Sequence, residues 1–384
     1  MSGRPIRVAQ VVGRMMGGGV EATVMNHYRH IDRSRVQFDF IAQTDSTVVP
    51  REEIESLGGR VFFVPPYKNP IAYVNACRRL FKDIKPDIVH SNMNAVSMFT
   101  LMAAKQAGVK IRIAHSHSTS NPAERGKTLV KNMLRPFSRV YPTHYAACSD
   151  YAARWLFGDK LVDSGAVHLI RNAIDLDQFS YSQQARSQKR SELGIQPDQL
   201  VVGQVGRLCF QKNQSFSLKV FAELLKRVPD AVLIIVGDGD SRGELEYQTR
   251  SLGITNRVRF LGVRADVAEL YSLFDVLLFP STYEGLGMAA IEAQATGLSV
   301  IASDHVPNEA GVIPRLMQRL SLDEPPAYWA DQIIRVSKRH LKRTGQEIEL
   351  ANVGYDINAS AQQLTEWYEK ICPVEAPYEM TVVR

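Results

Sequence analysis

Residues 277–303 read LLFPSTYEGLGMAAIEAQATGLSVIAS, and this stretch decides the fold. The apolar run 274–280 fits a buried strand, and Ser281, Thr282 and Tyr283 make a polar turn behind it. Glu284, Gly285, Leu286 and Gly287 follow. Strong helix formers then occupy 288–295, Gly297 stops them, and 298–302 resumes as a strand. Seven residues lie between Glu284 and Glu292, a spacing that would put both on one face of a continuous helix. Gly285 and Gly287 loosen the first turn, so Glu284 is expected at the mouth of the helix and Glu292 within it. Helix amino termini bind anions such as phosphate. A carboxylate beside one can accept hydrogen bonds from sugar hydroxyls, whereas an isolated Glu there would ordinarily just balance the helix dipole.

With 384 residues, 45% hydrophobic and 22% charged, the chain can bury two ordinary cores and has no bias towards disorder. Cys77, Cys148, Cys209 and Cys372 stand far apart with no Cys-x-x-Cys, which argues against a disulfide framework or a zinc ribbon. The apolar run in MSGRPIRVAQVVG is too short for a signal peptide. No later run approaches the roughly twenty residues that span a bilayer, so a reduced, cytoplasmic protein is expected. A net charge of +6 fits an anionic substrate, a nucleic acid or an acidic membrane surface. RNP aromatics, paired Cys/His ligands and a basic helix-turn-helix are all missing, so a nucleic-acid partner is not expected.

The first half alternates. A strand at 6–12 is followed by Gly17, Gly18 and Gly19 and a helix at 20–30, an arrangement that brings phosphate close to backbone N–H groups. The spacing is not Gly-x-Gly-x-x-Gly, and no matching acidic residue ends a second strand, so a dehydrogenase is not favoured; the bland reading is a flexible turn. Strands at 38–42, 60–64, 88–90, 111–114 and 145–149, separated by helices at 51–57, 71–84 and 95–107, predict a parallel sheet with helices on both faces. His115 and His117 end one of these strands two residues apart. They lack a third ligand for a metal, and the carboxyl end of a parallel strand is where open α/β sheets bind ligands. Residues 124–140 interleave Arg125, Lys127, Lys131, Arg135 and Arg139 with Leu129, Val130, Met133, Leu134 and Phe137. That pattern fits a solvated basic face, or contact with an anionic membrane, and Pro136 would kink or end the helix.

Residues 180–199 turn polar, as a linker would. A second series of strands begins at 200–205 and continues at 231–236, 258–260, 276–279 and 300–301, so the chain has two similarly built halves. Arg207 and Lys212 place two fixed positive charges in a loop just past a strand. Asp238-x-Asp240 and Asp175-x-Asp177 read as turns rather than metal ligands. Amphipathic helices are expected at 328–339 and 359–371.

The whole string PSTYEGLGMAAIEAQATGLSVIASD resembles the Glu-x7-Glu signature of glycosyltransferase family 4, a retaining, nucleotide-sugar-dependent family of the GT-B fold. The likeness runs over nearly all of the chain and is densest over 200–304. It implies two Rossmann-like α/β domains with parallel sheets facing across a cleft: an acceptor-side domain at 1–180, a donor-binding domain at 181–356, and a helix and tail at 357–384 that return to the first domain. VHLIRNAIDLDQF, 167–179, resembles the junction of the two domains, although Ala173 stands where glycine is usual. By the same resemblance, Gly18 and Gly19 lie against the donor diphosphate, Arg207 and Lys212 neutralise it, and Gly237 lets the backbone pass close to the nucleotide. Val263 and Arg264 would touch the base, Glu284 the sugar hydroxyls with Gly285, Leu286 and Gly287 beside it, and Glu292 the ribose. The family's cleft histidine matches His117, with His115 as the fallback.

The implied reaction moves a sugar from a nucleotide-diphosphate sugar, a UDP-sugar, to an acceptor hydroxyl on a growing lipid-linked glycan in bacterial exopolysaccharide or capsule synthesis. No metal and no other cofactor is expected, and the inner face of the membrane is the expected place of work. Glu284 and Glu292 would alternatively suit a glycosidase acid and nucleophile, but phosphate-binding cations argue against that. A non-catalytic nucleotide-sugar-binding subunit is the other alternative, and the intact Arg207, Lys212, Glu284 and Glu292 set weighs against it.

Overall fold

The computed structural model describes residues 4–117, 133–339, 343–344 and 346–372. Its strands fall into two sheets, and every neighbouring pair within each sheet is parallel. The first sheet contains β1 (Ile6–Gly13), β2 (Val36–Gln43), β3 (Arg60–Val64), β4 (Ile88–Ser91), β5 (Ile111–Ser116), β6 (His144–Ala147) and β7 (Val167–Leu169), in the order β3-β2-β1-β4-β5-β6-β7. The second contains β8 (Val201–Val205), β9 (Val232–Val236), β10 (Val258–Gly262), β11 (Val276–Phe279), β12 (Ser299–Ser303) and β13 (Met317–Leu320), in the order β10-β9-β8-β11-β12-β13.

Both orders reverse direction once, between β1 and β4 and between β8 and β11, and such a switch point opens a crevice at the carboxyl ends of the strands. The sheets are covered on both faces, so strands such as β9 and β11 are continuous apolar runs. β9 is VLIIV and buried throughout, and each such side chain contributes about 1.5–3 kcal/mol on burial. A glycine interrupts β8 for a packing reason: a Cβ on Gly203 would lie 2.2 Å from the Phe274 ring, which needs that space.

The chain divides into two compact units, Met1–Ile170 with Asn358–Arg384, and Arg171–Ile357. The first boundary therefore lies ten residues before the expected 180. Residues 171–180 go with the second unit because Ile174 exchanges backbone hydrogen bonds with Tyr355 and Ile357, at 3.0 Å each. The carboxy-terminal helix Ile357–Ile371 packs Leu364 and Tyr368 into the core of the first unit.

The expected linker at 180–199 contains a helix, Gln183–Glu192, capped by the Ser182 hydroxyl. Two of its charged residues, Lys189 and Arg190, are buried, and its basic side chains are neutralised: Arg186 and Arg190 pair with Asp275 at 2.6 and 2.9 Å, and Lys189 pairs with Asp266 at 2.7 Å. β7 and β13 were not expected. Each is an edge strand that needs a single neighbour and is only partly buried, so neither shows a continuous apolar run. Of the basic segment 124–140, residues 124–132 lie outside the described residues. Pro136 stands in the first turn of a 3-10 helix, Arg135–Arg139, beside exposed Met133, Phe137 and Val140. Among the described residues, no helix is long and apolar enough to cross a membrane.

Candidate active site

In the second unit the switch point brings two loops together, one leaving β8 and one leaving β11. The β8 loop turns at Gly206 (φ +146°) and passes through Arg207 to Lys212. It is pinned at both ends, because Gln214 donates to the Arg207 carbonyl at 2.9 Å and Gln204 to the Lys212 carbonyl at 2.9 Å. It is also tied to the β11 loop: the Thr282 N–H donates to the Gln211 carbonyl at 2.8 Å, and the Asn213 side chain donates to the Pro280 carbonyl at 3.1 Å. These bonds fix the two loops with respect to each other without any ligand.

Glu284 is the carboxylate that this arrangement encloses. It is 7% exposed, and a charge so far from water needs a partner. Its Oε1 accepts from the Lys212 ammonium at 2.5 Å and its Oε2 from the Gln211 amide at 3.3 Å, while Gln211 also donates to the Tyr283 carbonyl at 3.1 Å. The Lys212 ammonium lies 5.0 Å from the centre of the Phe279 ring as well, so its charge is held on two sides. Arg207 differs. It is exposed, and among the described residues its guanidinium has no hydrogen-bond or ion-pair partner.

The helix Met288–Ala295 starts at Gly287, whose φ of +96° is the left-handed region that only glycine adopts cheaply. A Cβ there would also press on Phe279, Val306 and Ala310 at 3.3–3.5 Å. Gly285 and Leu286 are buried beside it. Glu292, one turn into the helix, accepts a hydrogen bond from the Tyr271 hydroxyl at 2.7 Å. Burial pushes its carboxyl above the ordinary value, and the Tyr271 bond and Lys212 charge pull the other way.

Gly237 belongs to the same end of the sheet. Its N–H donates to the Gly262 carbonyl at 2.8 Å, and a Cβ would lie 2.2 Å from the Gly206 carbonyl oxygen, so the backbones leaving β8 and β9 touch. Beyond β10, Val263 is 82% exposed, and Arg264 is held by Asp266 in a two-pronged pair at 2.7 and 2.6 Å. The structure thus joins Lys212 and Glu284 directly, packs Gly237 against Gly206, and commits Arg264 to an acidic neighbour. Three contributors were not read from the sequence: Gln211, Asn213 and Tyr271. Gln211 and Asn213 flank Lys212, and only that adjacency could have signalled them.

The remaining expected residues lie in the first unit. Gly18 precedes the helix Gly19–His30 and is partly buried; Gly19 is exposed, with open space where a side chain would stand. Glu21 in the first turn accepts the Met16 N–H at 2.9 Å and so orders the glycine loop. His117 follows β5 and is 7% exposed. Its Nε2 meets the Asn92 carbonyl oxygen at 2.8 Å, and its backbone N–H donates to the Asn94 side chain at 2.7 Å. Burial lowers the His117 pKa to about 3, so the ring is neutral. Asn92 was not read from the sequence.

Residues 17–178 match the family described as Glycosyltransferase Family 4, and residues 185–348 match Glycosyl transferases group 1. "Putative glycosyltransferase EpsF" of Bacillus subtilis (strain 168) is 38% identical over 371 residues, spanning 94% of this chain and 96% of that one. An Escherichia coli UDP-Gal:alpha-D-GlcNAc-diphosphoundecaprenol alpha-1,3-galactosyltransferase is 26% identical over 310 residues, spanning 78% of this chain and 79% of that one. The Anabaena protein HepE, solved in complex with UDP and glucose, shares the fold with a TM-score of 0.78 at 20% identity, covering 95% of this chain and 99% of that one. The two parallel sheets, the two family matches and the near full-length relative agree: the chain belongs to the glycosyltransferases of the GT-B fold that carry a Glycosyltransferase Family 4 region followed by a Glycosyl transferases group 1 region.

Proposed function

We propose that the protein transfers a sugar from a UDP-sugar to a hydroxyl of a lipid-linked glycan, with retained anomeric configuration, at the cytoplasmic face of the membrane during extracellular polysaccharide assembly. The observation that carries this reading is the Lys212 ammonium, locked against the buried Glu284 at 2.5 Å, at a switch point whose loops are already tied together. The bond from the sugar's anomeric carbon to the diphosphate breaks, and one to the acceptor oxygen forms on the same face. The acceptor's proton goes to the departing diphosphate. Arg207 and Lys212 offset the charge that develops on this leaving group, preorganised for it without a metal ion. Arg207 grips two phosphate oxygens, and Lys212 acts as a compact charge.

Glu284 holds sugar hydroxyls, Glu292 the ribose, and Gly237 the backbone's close approach to the nucleotide. Val263 contacts the base, and Arg264 does so while paired to Asp266. Gly18 and Gly19 take the diphosphate side of the first unit, and His117 orients or polarises the reacting groups. A UDP-sugar donor is supported by the UDP-Gal named for the Escherichia coli relative and by the UDP bound to HepE; that relative's diphosphoundecaprenol substrate supports a lipid-linked acceptor. Exposed Met133, Phe137 and Val140 beside Arg135 and Arg139 support peripheral contact with an anionic bilayer.

The test is nucleotide release from a panel of UDP-, GDP- and ADP-sugars with a diphosphoundecaprenol-linked acceptor, in the presence of EDTA, with the product anomer assigned by NMR. UDP release with retention and no EDTA effect is expected. Inversion, a different nucleotide, or loss of turnover on chelation would overturn the corresponding part.

A further inference from the structure

Six buried side chains in the first unit form one unbroken line of hydrogen bonds. From one end, His117 Nε2 meets Asn92 Oδ1 at 2.8 Å, Asn92 Nδ2 donates to Gln10 Oε1 at 2.9 Å, and Gln10 Nε2 donates to the Tyr368 hydroxyl at 2.9 Å. The line continues from the Tyr368 hydroxyl to His90 Nδ1 at 2.7 Å and from His90 Nε2 to His115 Nδ1 at 2.9 Å. None of the six is more than 7% exposed. The far ends come back together, because the His115 and His117 rings lie 3.8 Å apart centre to centre. Each end has one buried nitrogen with no partner among the described residues, His115 Nε2 and His117 Nδ1.

The three line histidines are neutral, since burial lowers all of them, so each carries a single ring N–H. Every interior member then gives one hydrogen and accepts another along the line, and all five bonds must run the same way. The Asn92 and Gln10 amides set the direction. His117 Nε2–H donates to Asn92, Tyr368 donates to His90 Nδ1, and His90 Nε2–H donates to His115. All three rings carry their hydrogen on Nε2, which leaves His117 Nδ1 as a bare acceptor and His115 Nε2–H as a donor.

We propose that Tyr368 and Gln10 are positioning residues for glycosyl transfer: through Asn92 they hold His117 as the Nε2–H tautomer, so that its Nδ1 lone pair is the nitrogen left for a substrate hydroxyl. This rests on the reading of His117 as a site residue. It gives the carboxy-terminal helix, far away in sequence, a part in the chemistry of a residue that follows β5.

Long-range 1H–15N spectra of the 15N-histidine-labelled full chain test it directly. His90, His115 and His117 are expected as Nε2–H tautomers at pH 7.5. In Tyr368→Phe and, separately, Gln10→Met, the His117 signal is expected to redistribute towards Nδ1–H. With it, kcat for the nucleotide sugar selected by the panel should fall roughly ten-fold, while its KM changes less than about two-fold. A wild-type Nδ1–H signal at His117, or one unchanged in both variants, overturns the relay; with two variants, failure of one to fold leaves the other decisive. His117→Ala with undiminished turnover overturns the catalytic half of the proposal and the reading beneath it, and the spectra still judge the relay by themselves.

Discussion

Lys212 and Arg207 carry the same charge in one loop but stand in opposite states, and that separates what their loss should do. Lys212 holds the buried Glu284 at 2.5 Å, so Lys212→Ala leaves a desolvated carboxylate with only the Gln211 amide. Breaking such a pair costs about 3 kcal/mol. The thermal midpoint should drop, and Glu284→Gln added to Lys212→Ala should restore much of it, which a double-mutant cycle measures. Arg207 is exposed and without a partner among the described residues. Arg207→Ala should therefore change stability by less than ~0.5 kcal/mol while weakening UDP binding by roughly ten-fold or more by calorimetry. An Arg207 variant that unfolds, or binds UDP as the wild type does, would contradict this division. At this scale the charged residues were legible in the sequence because fixed charges in a loop past a strand are conspicuous. Gln211 and Tyr271 were not, since their part lies in hydrogen bonds to carboxylates distant in sequence, and the spacing of residues encodes no such contact.

Between elements, the contact that shapes the loop end of the second sheet is backbone on backbone. Gly237 has φ +125°, and a side chain would overlap the Gly206 carbonyl. Gly237→Ala should cost more than ~2 kcal/mol through backbone strain and overlap and should push the β8 loop away, weakening UDP binding. Gly243, in the helix Arg242–Ser251 with nothing within 4 Å of its would-be Cβ, is the control: Gly243→Ala should stabilise by about 0.4–1 kcal/mol. Chemical denaturation of the two variants checks both signs. Strands such as β9 and β11 and the helix at 288–295 were readable because burial on both faces favours apolar runs and a glycine stops the helix. The helix Gln183–Glu192 was not, because QQARSQKRSE has no apolar stripe; what it buries is Lys189 and Arg190, made bearable by Asp266 and Asp275. β7 and β13 escaped notice because edge strands need no apolar run.

For the molecule as a whole, buried histidines set a limit on the acid side. His27 is lowered by burial to about 4 and His117 to about 3, and His90 and His115 also lie well below the ordinary value. The unfolded chain binds protons on these rings near pH 6.5, whereas the folded chain refuses them, so stability is complete above that pH and falls as pH drops through it. The four together give a slope of at most ~5 kcal/mol per pH unit. Urea midpoints at pH 7.5 and 5.5, followed by the fluorescence of Trp155 and Trp367, should differ strongly; a flat profile would mean that the rings are charged in the folded state. The two-halved plan of the chain was legible from the rhythm of strands and helices. The assignment of 171–180 was not, because it rests on bonds to Tyr355 and Ile357 near the far end of the second unit. That the helix bearing Tyr368 completes the first unit also bears on biosynthesis. The first lobe leaves the ribosome lacking its final piece, and it must wait roughly 10–40 s while residues 171–357 are made. During that interval Gln10 and His90 have no phenol to bind. The lobe synthesised first is therefore the one finished last, and a nascent chain interrupted late yields a complete second lobe beside a first one that is still open.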